Sequence, residues 1–118
     1  MKAVNNPRFG TLPDFGNVNK GDDYATVLRK LLPYAKGVSV KAAWAADGTH
    51  PAWDIEKLIG ICLEMGFHGY WGIESSYGRQ GRDRGAEKKM PAGEVWAADV
   101  KGVMLTKAVI ERTVKLTA

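Results

Sequence analysis

The chain is poor in the residues that would announce a staple, a metal finger or a membrane anchor. It holds one cysteine, Cys62, and two histidines, His50 and His68. A lone cysteine closes no internal disulfide, so the fold must rest on burial and hydrogen bonding, as is usual in a reducing compartment. The Cys and His positions have no zinc-finger spacing, and no glycine fingerprint of a nucleotide-binding loop is present. No apolar run nears the roughly 20 residues of a membrane-spanning helix. Met1 to Pro7 carries one positive charge and no apolar stretch of the kind a secretory leader needs. These features lead us to expect a soluble cytoplasmic protein. The net charge of +4 is small; it suits an anionic small molecule as well as nucleic acid and decides neither.

What is present is ordinary globular material in an orderly pattern. The 118 residues, 45% apolar and 25% charged, suffice for one domain with a modest core. Phe9 to Leu12 is a short apolar run that leads through Pro13 to Asp14, and Gly16 and Asn17 then turn the chain. Val38-Ser39-Val40 leads to Lys41, and Gly69-Tyr70-Trp71-Gly72-Ile73 leads to Glu74. These runs predict strands near 9–13, 37–42 and 69–74, each ending in one ionisable side chain.

A helix pattern follows each run. Tyr24, Val27, Leu28, Leu31 and Leu32 form one apolar stripe, as do Ile55, Leu58, Ile59, Cys62 and Leu63. Asp22 or Asp23 can start the first helix and Asp54 the second. Pro33 and Gly66 are placed as their stops. Val103, Ile110 and Val114 mark a third. The expected helices lie near 23–32, 54–65 and 98–115.

Alternation of this kind implies a parallel sheet, and right-handed crossovers put all three helices on one face. Asp14, Lys41 and Glu74 then share one rim, where the loops of parallel α/β folds carry their chemistry. Three such units leave the other sheet face and both edges bare, which parallel sheets avoid. A closed barrel removes the difficulty but needs eight units and about 250 residues. The expectation is therefore a single partial domain over residues 1–118: three consecutive βα units of a (β/α)8 barrel, with the earlier units absent from the chain.

The segments Gly10-Thr11-Leu12-Pro13-Asp14-Phe15-Gly16-Asn17, Leu32-Pro33-Tyr34-Ala35-Lys36-Gly37-Val38-Ser39-Val40-Lys41 and Gly66-Phe67-His68-Gly69-Tyr70-Trp71-Gly72-Ile73-Glu74 resemble, in order and spacing, the carboxyl-terminal part of the xylose-isomerase-like sugar phosphate isomerase/epimerase family. The resemblance runs from about Pro7 to the last helix. It implies a (β/α)8 barrel that binds a divalent cation (Mn, Mg, Co or Zn) at the strand ends and moves a proton beside a carbonyl through an enediolate. It assigns metal binding to Asp14, and metal binding with acid/base work to Glu74. Ser39 stands where the family often has a metal-binding histidine. A subgroup with a similar Ser-x-Lys pattern implies that Lys41 binds an oxyanion. The family's further carboxylate, from an earlier strand, has no counterpart here, so the chain is expected to be inactive alone. The implied ligand is a carbohydrate or sugar phosphate, with Asn17, Lys41 and Trp44 as candidate substrate contacts.

Plainer readings stand beside these. Asp14 also suits a turn before Gly16, and Lys41 a structural ion pair with either carboxylate. A charge at the end of an apolar strand, as at Glu74, is costly unless it is used or paired. His50 reads as a solvent-facing loop residue, His68 as lying at the opposite, stability face, and Cys62 as core. Trp53 and Trp96 read as packing staples beside helices. Arg79 to Lys89 is a basic segment, either a solvated loop or a flap whose Arg forks grip phosphate. Two rival functions remain at this stage. One is a metal-dependent endonuclease-type phosphodiesterase of the same barrel superfamily, against which the placing of the histidines speaks. The other is a non-catalytic fragment that self-associates or joins a partner carrying the missing strands.

Overall fold

A computed structural model describes residues 4–17, 21–50, 53–78 and 91–117. The elements run α1 (Tyr24–Leu31), a 3-10 turn (Leu32–Tyr34), β1 (Gly37–Trp44), α2 (Ile55–Glu64), β2 (Tyr70–Tyr77) and α3 (Ala92–Thr117). The protein is thus mixed α/β. No described helix is long and apolar enough to cross a membrane.

β1 and β2 pair in parallel, in register from Gly37 opposite Tyr70 to Trp44 opposite Tyr77. The expected first strand is reduced to two isolated parallel bridges, Thr11 with Ala35 and Asp14 with Ser39. Pro13 lies between them and lacks the amide that a continuous ladder needs. The bridges still set the order: segment 11–14, then β1, then β2, all running the same way.

Side chains alternate across β1. Val38, Val40, Ala42 and Trp44 are buried, whereas Ser39, Lys41 and Ala43 are half-buried on the other face. The buried set shares one core with Phe15, Leu28 of α1, Ile59 and Cys62 of α2, and Val109 and Ile110 of α3. All three helices therefore pack on the same side, as right-handed crossovers require. Asp54 caps α2, its Oδ1 accepting from the Lys57 amide at 2.9 Å, and α2 stops before Gly66. Asp23 occupies the N-cap of α1 without a capping hydrogen bond, its carboxylate taken by Thr26 at 2.6 Å. α1 gives way at Leu31 to a 3-10 turn that has Pro33 in its first positions.

Two expectations need correction. Lys41 and Glu74 do not end their strands. β1 runs on through Ala42-Ala43-Trp44 and β2 through Ser75-Ser76-Tyr77, because the ladder between them continues past the charged pair. α3 begins at Ala92 instead of near 98. Its contacts also differ from those of a helix returning along its own strand. Lys101 lies over the Tyr77 ring. Thr106 bonds Trp44 and Ser75, and Arg112 pairs with Glu56 at the start of α2. α3 thus crosses from the carboxyl end of β2, past that of β1, to the amino end of α2. Gly102 makes the crossing close: a Cβ there would stand 3.1 Å from the Ser76 backbone. Trp96, expected to staple, is 73% exposed on the part of α3 that precedes these contacts.

Candidate functional site

The face of the sheet away from the helices gathers the charged residues singled out from sequence. Asp14 lies beside Ser39 across the first pair of strands, and Lys41 beside Glu74 across the second. Lys41 Nζ is 3.2 Å from Glu74 Oε1 and donates to Asn17 Oδ1 at 3.3 Å. Its stem lies over Gly16, where a Cβ would stand 2.5 Å from Lys41 Cδ; glycine is needed at that position for the lysine to lie down. The ammonium has three protons and two named acceptors, so one donor direction is left for an anionic oxygen.

Asp14 is held as the plain reading suggested. Its Oδ1 accepts from the Gly16 amide at 2.8 Å, an Asx turn that bends the chain toward Asn17. Its backbone carbonyl accepts from the Tyr24 hydroxyl. Burial, and next the Asp14 charge, raise the Tyr24 hydroxyl well above the usual tyrosine range. Asp14 lies one strand over and two residues back from Lys41. With strands about 4.8 Å apart and a rise of about 3.3 Å per residue, its Cα is roughly 12 Å from that of Glu74. The two carboxylates share a face and a direction without touching.

That spacing bears on a metal. Among the described residues no group of three His, Cys, Asp or Glu side chains is placed to hold an ion. Ser39, at the position expected to matter, supplies no imidazole, and Glu74 is already taken up by Lys41. These residues alone do not fit a divalent cation, which takes several oxygen ligands at once.

The remaining candidates scatter. Trp44, expected at the substrate, is 7% exposed on the helix-covered face, its Nε1 donating to Thr106 Oγ1 at 3.0 Å. It is three residues from Lys41, an odd offset that places the two on opposite faces. Cys62 is buried in the core, where burial pushes its thiol up to about 12 and keeps it unreactive. His68 is exposed ahead of β2, with Nδ1 3.1 Å from the Gly66 carbonyl. His50 is no solvent-facing loop residue. Its ring lies 5.5 Å from that of Trp44 and 4.6 Å from that of Trp53. The basic segment from Arg79 to Lys89 falls outside the described residues.

On chemical grounds, the open face offers a cation poised for an anionic oxygen and a carboxylate beside it that is 61% exposed in its side chain. It also offers two apolar side chains farther down, Leu12 and Tyr70, 67% and 85% exposed, on either side of Gly37. No family model matches the chain, and no curated protein matches it.

Proposed function

We propose that the chain forms three consecutive βα units of a (β/α)8 barrel of the xylose-isomerase-like type, and that its open sheet face is part of a site for a sugar or sugar phosphate. The observation that carries the reading is the order of the three parallel segments. It lays Asp14, Lys41 and Glu74 on one face in succession, as neighbouring strands of a barrel interior would. In this reading Lys41, steadied by Asn17, takes the developing negative charge on the oxygen of an enediolate. Glu74 accepts or returns the proton on the neighbouring carbon. A carboxylate and a cation this close divide the work of proton transfer and charge stabilisation.

The reading also accounts for what the described residues leave bare. The outer edge of β2 and the face bearing Leu12 and Tyr70 are the surfaces that further barrel strands cover. Those strands, on a preceding segment, a second copy or another chain, would add the missing carboxylate. A divalent cation belongs to the proposal only with ligands from that source, and the chain alone should not turn over. The test incubates the purified chain with aldose and ketose phosphates in D2O and follows deuterium uptake beside the carbonyl by NMR. Parallel spectra of the protein watch the Lys41 and Glu74 side chains. Shifts at Lys41 and Glu74 without deuterium uptake are expected. Uptake that disappears in Glu74→Gln would show the site complete as it stands. No shift at either residue would remove the open face from consideration.

A second reading rests on the same exposed edge: a non-catalytic piece that functions by pairing. Sedimentation equilibrium tests its self-pairing form, which a monomer at all concentrations would contradict.

A further inference from the structure

The core uses only one side of α3. Gly102, Thr106, Val109 and Ile110 are buried against the rest of the molecule. A second line runs through Trp96, Val100, Val103 and Lys107, at offsets of four, three and four, with Met104 beside it. Trp96 is 73% exposed, Met104 58%, Val100 44% and Val103 37%. At 3.6 residues per turn these positions make a straight seam, turned about a third of a circle from the buried side. Among the described residues nothing covers it. The residues outside the described set are chiefly polar or charged, Arg79 to Lys89 above all, and have little apolar surface to lay on it.

Offsets alternating between four and three are those of two helices packed side by side, each filling the gaps of the other. The contents of the seam select the partner helix. Lys107 stands in line with the apolar side chains, and a polar group at such a position fixes register. In a parallel pair of like helices two Lys107 ammoniums would meet at one level. In an antiparallel pair the levels run in reverse. A two-fold axis at the level between Lys101 and Gly102 sets Val100 against Val103 of a second copy, and Trp96 against its Lys107, each twice over. Every ammonium then lies on an indole, the ring best suited to a cation. The two lysines stand about 16 Å apart along the helices. Glu111, the ion-pair partner of Lys107 on the same helix, can stay where it is. The seam is thus complementary to itself in charge and in shape.

We propose that α3 pairs, antiparallel, with α3 of a second copy of this chain along Trp96, Val100, Val103, Met104 and Lys107. The arrangement is closed by a two-fold axis, as in most homodimers. The exposed parts of the four apolar side chains come to about 400 Å² per copy, and with their flanks a pair buries about 1,000 Å² in all, the low end for a specific interface. The dimer is therefore a weak, concentration-dependent one. It shares no residue with the open-face site and does not involve the outer edge of β2.

The experiment is sedimentation equilibrium of the intact chain from about 5 µM to 1 mM. A reversible dimer is expected. Trp96→Ala should weaken it at least about tenfold, and Lys107→Glu, which puts a carboxylate on the indole, about fivefold. Both positions are exposed, so the far-UV circular dichroism should be unchanged. If Trp96→Ala does not fold, Lys107→Glu decides. Mild oxidation tests the direction, since Cys62 is buried and stays out of the reaction. Chains with Val100→Cys and with Val103→Cys, mixed, should join through a disulfide, and Lys107→Cys should not join to itself. A monomer at 1 mM would leave the seam to a different chain and overturn the proposal. So would a dimer that neither Trp96→Ala nor Lys107→Glu weakens, or ready joining of Lys107→Cys to itself.

Discussion

The two faces of one short sheet differ in nearly every respect. On one, Val38, Val40, Ala42 and Trp44 are buried under three helices. On the other, Ser39, Lys41, Glu74 and Tyr70 stand half-buried or exposed. The covered face is where the fold is held together. The open one carries groups whose packing adds little and whose chemistry is available. Among the described residues nothing covers that open face, and a parallel sheet left bare on one side is uncommon. The contrast therefore separates residues kept for stability from residues whose presence needs another reason.

Substitutions should fall on either side of that division. The largest loss is expected from Ile59→Ala, which empties a fully buried position between α2 and the sheet; the cost should be about 2–5 kcal/mol by urea unfolding. A loss under about 1 kcal/mol would mean that the covered face is not the core. Next comes Trp44→Phe. It removes the donor to Thr106, whose hydroxyl is also hydrogen-bonded to Ser75 and to the Gly102 carbonyl. A loss of about 1–3 kcal/mol is expected, from packing and the missing hydrogen bond together. A neutral result would detach α3 from the end of β1.

Alkaline pH probes the covered face in a different way. Cys62, mainly through burial, and Tyr24, through burial and then Asp14, both have pKa values raised above those of the unfolded chain. Each contributes stability that is whole below its unfolded value, 9.0 for the thiol and 10.0 for the phenol, and that drains away as pH climbs toward the folded value. The melting temperature should therefore hold up to about pH 9 and fall above it. In Cys62→Ala, weaker throughout, the fall should begin nearer pH 10. An onset unmoved by that change would show that the thiol is not buried as described.

The smallest effects belong to the open face. Lys41→Met and Glu74→Gln should each change stability by less than about 1 kcal/mol, because an ion pair this exposed contributes little. A loss of about 3 kcal/mol would make the pair a structural element and weaken its claim to chemistry.

Much of this division could be read beforehand. The stripes through Leu28 and through Ile59 and Cys62 located α1 and α2 within a residue or two, since a 3.6-residue period over three turns has few rivals. The valines of β1 and the aromatics of β2 marked the strands. Their ends were not legible, because a charge in an apolar run looks like a boundary while a parallel ladder can carry it in the middle of one face. The start of α3 was hidden by Pro91 and Gly93, which read as loop but here precede and open a helix. Of the site, an ion pair of Lys41 with either Asp14 or Glu74 was legible; that the partner is Glu74 depends on the register of β1 on β2, which no local pattern sets. The face of Trp44 was available from its odd offset and was missed. The pairing of Arg112 with Glu56 depends on how α3 crosses the strand ends, which no local pattern encodes.

The division between the faces can be tested most directly by a nuclear Overhauser spectrum of the labelled chain. The account expects contacts from Asp14 to Ser39 and from the Lys41 side chain to Glu74, and none from Lys41 to Leu58 or Ile59. Contacts from Lys41 into the α2 core, or Asp14 found beside β2 in place of β1, would contradict it.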